Sequence, residues 1–163
     1  MVLVRAAGEA DLPGILAIYN HEVAHTTAIW NDAPVELAER KGWYEARRAR
    51  SYPVLVADID GNVAGYASFG DFRLFDGYRF TVEHSVYVAD RARRQGIATQ
   101  LVQRLMEEAR SLGKHVMVGG IASDNAASLA LHERLGFVES ARMREIGYKF
   151  GRWLDLIFMQ KIL

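Results

Sequence analysis

The chain has 163 residues, half of them hydrophobic and a quarter charged, which fits one domain (1–163) with a sizeable core. Lys+Arg and Asp+Glu balance at 20 each, which argues against a nucleic-acid partner, since that would need a basic excess. The absence of cysteine excludes disulfides, thiolate metal sites and thiol catalysis and suits a cytoplasmic setting, and without a run of about 18 apolar residues or a basic-then-apolar leader, neither a membrane partner nor a signal peptide is expected.

Val2 to Arg5 predicts a first strand. A helix follows from Asp11, with Leu12, Ile15, Tyr19 and Val23 on one face and Pro13 in its first turn. On it His21 and His25 stand four apart, a spacing a metal tolerates; no third ligand is evident and no metal is expected. Thr26 to Asn31 reads as a loop, and Pro34 to Arg50 as a second helix carrying Leu37, Trp43 and Tyr44. Pro53 to Ile59 and Val63 to Phe69 are antiparallel strands joined by the tight turn Asp60-Gly61-Asn62. Gly70 to Tyr78 is an aromatic-rich loop and Thr81 to Val88 a fourth strand.

The next stretch carries most of the information. Arg93-Arg94-Gln95-Gly96-Ile97-Ala98 opens a helix whose apolar positions fall at Ile97, Leu101, Leu105 and Ala109, and Gly113 ends it. A glycine turn at a helix start leaves several backbone N–H groups pointing outward, and the helix dipole adds positive charge there. Such a site suits a phosphate or diphosphate, and two arginines stand at its mouth. The alternative is a plain helix start with solvated arginines. The dinucleotide fingerprint and the P-loop pattern are both absent. His115 to Gly119 reads as a short strand. Ser123-Asp124-Asn125 caps a helix that ends at Leu135-Gly136, and Phe137 to Ile146 and Trp153 to Gln160 are the last two strands. The order predicts a mixed α/β sheet with helices on both faces.

Arg93-x-x-Gly96-x-Ala98 resembles the R/Q-x-x-G-x-G/A signature of the GNAT superfamily of N-acetyltransferases. Asn125-x-x-Ser128-x-x-x-His132-Glu133-x-x-Gly136-Phe137 is similar to that superfamily's next helix and strand. Thr81 to Val88, Gly147 to Asp155, Thr26 to Asn31 and Gly70 to Arg73 resemble more narrowly the phosphinothricin and methionine sulfoximine acetyltransferase branch.

The resemblance implies a mostly antiparallel GNAT sheet of six to seven strands with a splayed central pair. Its fourth strand would carry a bulge and part from Val116 to Gly119. Acetyl-CoA would be the cosubstrate, with its diphosphate on the amides of Arg94, Gln95, Gly96, Ile97, Ala98 and Thr99. Arg93 and Arg94 would add charge, and the pantetheine arm would pair with Val86, Tyr87 and Val88. Asn125 and Ser128 would touch the coenzyme. Glu83 is the expected base, for which a salt-bridged strand carboxylate is the alternative. Val88 or Tyr87 N–H would hold the oxyanion. His132 stands where the superfamily often has a tyrosine, as acid for the departing thiolate or as mere packing. Arg73 suits the acceptor's carboxylate. Leu74 and Phe75 would shape a closed pocket, with Glu83, His84 and Ser85 completing it; Trp30 and Tyr148 are further aromatic candidates for it, with core packing the favoured alternative. The expected activity is N-acetylation of a small amino acid or analogue by direct attack on the thioester. A peptide N-acetyltransferase or a non-catalytic coenzyme-binding module stays open. The apolar last strands (Trp153, Leu154, Leu156, Ile157, Phe158) and the resemblance predict a homodimer.

Overall fold

A computed structural model describes residues 1–163. Seven strands form one sheet: β1 (Val2–Ala6), β2 (Val54–Ile59), β3 (Asn62–Asp71), β4 (Thr81–Val88), β5 (Val116–Ala122), β6 (Val138–Lys149) and β7 (Arg152–Ile162). Their spatial order is β1-β2-β3-β4-β5-β7-β6, and only β4 and β5 run parallel. Four helices accompany them: α1 (Leu12–His25), α2 (Leu37–Ala49), α3 (Ile97–Ser111) and α4 (Ala126–Arg134).

Side-chain alternation along the strands sorts the core into two layers. On one face Leu101, Leu105 and Ala109 of α3, all fully buried, pack on Ala67, Phe69, Val82 and Met117. On the other, Leu12, Ile15 and Tyr19 of α1 pack on Val54, Val56 and Tyr66. The spacing of three and four residues read in the sequence is thus the spacing that buries each helix.

Helix α2 starts at Leu37 rather than Pro34. The cause is the side-chain amide of Asn20. It accepts the Val35 N–H at 2.9 Å and donates to the Val35 carbonyl at 3.0 Å, holding that peptide outside the helix. The last two strands are longer than the sequence suggested and meet in a hairpin at Phe150-Gly151, where both residues take positive φ. No helix is long and apolar enough to cross a membrane.

The feature that positions the site is a split in the sheet. Strands β4 and β5 pair only from Thr81–Val116 to His84–Gly119. Beyond that, β4 stays with β3 up to Val88, and β5 stays with β7 up to Ala122. The expectation that β4 parts from Val116 to Gly119 is therefore corrected: those residues are paired, and the gap opens at Gly120. The expected bulge in β4 is also not found, since its register against β3 is unbroken. The bulges lie at Ala57/Asp58 and within β6.

Candidate active site

Gly96 precedes α3 with φ +74°, a left-handed conformation that costs a side-chain-bearing residue energy. The first helical bond runs from Gln100 N–H to Gly96 C=O at 3.1 Å. The six amides from Arg94 to Thr99 have no acceptor within the protein. They stand at the positive end of a fifteen-residue helix, which is an anion site by construction. Arg94, Gln95 and Gly96 are exposed there. Arg93 is not free for a phosphate, because its guanidinium binds Glu22 at 2.7 Å and Asp90 at 2.9 Å. A phosphate contact of its side chain would compete with these two carboxylates.

Two observed bonds fix which peptide groups of β4 face the split. Ala89 N–H reaches Ala64 C=O, and Phe72 N–H reaches Thr81 C=O. In an antiparallel ladder every second residue shares that direction. The peptide groups of Thr81, Glu83, Ser85 and Tyr87 therefore face β3. Those of Val82, His84, Val86 and Val88 face β5, and past His84 no strand is there to meet them. Val88 N–H is open for an oxyanion, whereas Tyr87 N–H is spent in the sheet.

A cavity of about 60 Å³ occupies the split. His84, Val86, Gly119 and Ile121 line it from the α3–α4 face, and Ser85, Tyr87, Gly120 and Ala122 from the other. The cleft thus crosses the sheet. Asn125, Ser128 and His132 of the α4 segment close one side. The Asn125 side chain accepts the Ser128 N–H at 3.1 Å, so it caps α4 while lining the cleft. Ser128 Oγ stands 3.4 Å from His132 Nδ1.

His132 and His84 form a buried pair, Nε2 to Nε2 at 2.9 Å. His84 Nδ1 faces Val118 C=O at 2.9 Å, and His132 Nδ1 faces Ser128 C=O at 2.7 Å. Burial pushes both imidazoles toward the neutral form. A neutral pair has two protons for three contacts, and a third proton satisfies all three.

Glu83 projects from the opposite face, half-buried, with Oε1 over Gly120. Burial raises its carboxyl above the usual range, and the charge of Arg73 pulls it partly back. Arg73 is exposed, lies over the Phe72 ring at 4.5 Å and donates only to the Phe72 carbonyl. Leu74 and Phe75 are 89% and 78% exposed, so they do not close a pocket within this chain. Trp30 is half-buried beside Gly147. Tyr148 is 56% exposed against Trp153, not in the core.

The model of the Acetyltransferase (GNAT) family matches residues 15–137. The chain belongs to this acetyltransferase family. Its fold is the GNAT fold, and its chemistry is N-acetyl transfer with acetyl-CoA as cosubstrate. It is 61% identical over 158 residues to the L-methionine sulfoximine/L-methionine sulfone acetyltransferase of Pseudomonas paraeruginosa, covering 96% of this chain and 92% of that one. A phosphinothricin acetyltransferase from Sinorhizobium meliloti, solved with acetyl-CoA, is 37% identical with a TM-score of 0.96 over 99% of this chain and 88% of that one. A ribosomal-protein-alanine N-acetyltransferase structure from Brucella melitensis is 54% identical with a TM-score of 0.97 over 99% of both chains.

Glu22 and Lys149 are among the buried charges that sequence reasoning missed in this acetyltransferase. Glu22 continues the apolar stripe of α1 one step past Tyr19, so helical spacing alone would have placed it inside. Lys149 is buried at the end of β6 and donates to Thr26 C=O at 2.6 Å and Ile29 C=O at 2.5 Å. It pins the loop that carries Ala28 to the cleft. His21 meets Asp90 at 2.8 Å rather than joining His25 as a ligand pair, and the third carboxylate nearby, Glu22, is already bound to Arg93.

Gly96→Val tests the amide turn. Nothing lies within 4 Å of the added Cβ, so the substitution acts through backbone conformation alone. The expected result is an acetyl-CoA KM raised by about 5- to 30-fold, the equivalent of about 1–2 kcal/mol for a left-handed residue, with the thermal midpoint little changed.

Proposed function

We propose that residues 1–163 act as one domain that acetylates the α-amino group of a small amino acid or analogue of the methionine sulfoximine, methionine sulfone or phosphinothricin type. One observation carries this reading: the cleft crosses the sheet, with the open Val86 peptide groups in its wall, the open Val88 N–H further along β4 and the half-buried Glu83 on the face away from α3. The coenzyme's diphosphate rests on the amides of 94–99, and its pantetheine arm takes the hydrogen-bonding places of the strand that β4 lacks past His84. The amine approaches from the Glu83 face. Glu83, directly or through one water, removes the ammonium proton, because only the free amine has a lone pair. Nitrogen bonds to the acetyl carbon, and Val88 N–H holds the oxygen that becomes negative. Collapse breaks the carbon–sulfur bond; the amide nitrogen sheds its second proton to water, and the thiolate takes a proton from His132 of the His84–His132 pair in its three-proton form, which water then restores. Arg73 pairs with the acceptor's carboxylate. The cysteine-free composition suits a cytoplasmic enzyme.

We also propose a homodimer. Leu74, Phe75, Tyr78 and Phe80 form an exposed apolar group, and Met143, Ile146, Tyr148 and Trp153 form another on the β6–β7 hairpin. Exposed apolar area on this scale marks a contact surface. A second copy covering 74–80 would supply the closure that this loop lacks in one chain.

A peptide acceptor remains a second reading. It is favoured by the open side at Leu74–Phe75 and by the name of the Brucella melitensis relative. Thiol release from acetyl-CoA with a panel of free amino acids, against a panel of peptides, decides between them. Turnover on free amino acids alone is expected.

Glu83→Gln should lower kcat by about 100-fold or more at neutral pH. It should also remove the acid limb of kcat/KM, which lies above the ordinary carboxyl value of 4.5 because burial raises this group. The stability effect has the opposite sign. The folded state holds the Glu83 proton more tightly than the unfolded state, so ionisation costs the fold as pH rises through that window. Glu83→Gln should melt higher than wild type at about pH 7 and no differently below about pH 4.

Arg73→Ala should raise the amino-acid KM by about 10-fold or more and leave the acetyl-CoA KM alone. Equilibrium sedimentation should give twice the chain mass, and a monomer at micromolar concentration would contradict the dimer.

A further inference from the structure

The Glu83 face of the sheet has a second arginine that the reaction scheme does not use. Arg47, near the end of α2, is half-buried, and its Nε is fully buried with no hydrogen-bond partner. None of its five N–H donors meets a protein acceptor, and it belongs to no ion pair. Burial pushes its pKa down, and Arg40 adds repulsion. The nearby Asp71 is already occupied, since it accepts from Tyr52 Oη at 2.5 Å and from Arg50 at 2.8 Å. The charge of Asp71 and the Trp43 ring, 5.9 Å away, compensate Arg47 in part, but neither accepts a hydrogen bond from it. Native structures rarely leave a desolvated guanidinium without an acceptor.

Its location supplies the reason. The guanidinium lies directly over Gly70: a Cβ there would meet Nη1 at 2.5 Å and Cζ at 2.8 Å. Gly70 is the register partner of Glu83, so both point to the same face. Side chains of such a pair begin about 5 Å apart. Glu83 turns its carboxylate the other way, toward Gly120 of β5. The base and the unpartnered cation thus lie over neighbouring strand positions of one face, Glu83 on β4 and Gly70 on β3.

We propose that Arg47 determines acceptor specificity by binding the oxygens of a tetrahedral sulfur or phosphorus group on the acceptor's side chain, while Arg73 holds the carboxylate. This rests on the amino-acid acceptor proposed above. A sulfone, sulfoximine or phosphinate presents the oxygens that Arg47's donors lack; a thioether presents none. An ammonium side chain would be repelled.

The test compares methionine sulfone with methionine, which matches it in shape but lacks the two oxygens. Methionine is read as a substrate or, where its turnover is slow, as a competitive inhibitor. Arg47→Met should lower kcat/KM for the sulfone by about 10- to 100-fold and change the methionine constant by less than about twofold, which is the loss of charge-assisted hydrogen bonds alone. The acetyl-CoA KM should not move, and Arg47→Lys should recover part of the sulfone activity. Equal losses on both acceptors, or no loss on the sulfone, would overturn the proposal. Should Arg47→Met fail to fold, Arg47→Gln and Arg47→Lys give the same ratio. Turnover of the unmutated enzyme on methionine sulfone reads the proposed function; the change in acceptor ratio reads Arg47 alone.

Discussion

Main-chain hydrogen bonds that the sheet leaves unmade are the constraint on which the site depends. A buried peptide group without a partner costs about 1–3 kcal/mol. The fold leaves such groups without a protein partner in two places: along half-buried β4 past His84, where the cost applies, and over the six amides that open α3, of which Arg94 to Gly96 are exposed to water. In the proposed reading both take the same ligand. A thioester coenzyme has an amide-bearing arm and a diphosphate, and these are what a strand edge and a helix N-terminus bind. The affinity for the cosubstrate is therefore written largely in the backbone, with little demand on side-chain identity. The fate of Arg93 illustrates this. Its charge stands at the mouth of the turn, yet it is spent on Glu22 and Asp90, where it braces α1 against the segment leading into that turn.

The fold was legible because helical and strand periods were clean. The element order read along the chain is the one observed, and the stripe on α3 is fully buried, with Val102 and Met106 widening it. Boundaries failed where a distant side chain intervened. No local rule reveals that Asn20 would hold Val35 and delay α2. The site was legible in part. Gly96 and its flanking amides follow from local helix geometry. Which of Tyr87 or Val88 offers its N–H does not, because that parity depends on the pairing register with β3. The closed pocket expected from Leu74 and Phe75 rested on their apolar character. Composition says that such residues want to be covered, but not whether the same chain covers them.

Arg47 shows a different limit. In the sequence it is one basic residue in Arg47-Arg48-Ala49-Arg50, which reads as a solvated helix end. Its meaning comes only from Gly70, 23 positions on, which gives it room, and from Asp71, whose two other partners leave it unpaired. A charged residue becomes informative when its surroundings fail to neutralise it. That failure is a three-dimensional fact.

The environment of Glu83 also bears on how the proton transfer is balanced. An α-ammonium group titrates near about 8 and an ordinary carboxylate near about 4, so passing the proton between them is uphill by roughly 4 units, or about 5 kcal/mol. Half-burial of Glu83 narrows that gap by raising its pKa. Full burial would narrow it further but would leave the carboxyl protonated and useless as a base at neutral pH. The charge of Arg73 works against burial and favours the ionised form. The same cation that is placed to hold the acceptor's carboxylate thus sets the strength of the base. Once that carboxylate neutralises Arg73, the restraint weakens and the Glu83 pKa rises toward that of the amine. Acceptor binding itself would therefore bring the base closer to its working strength.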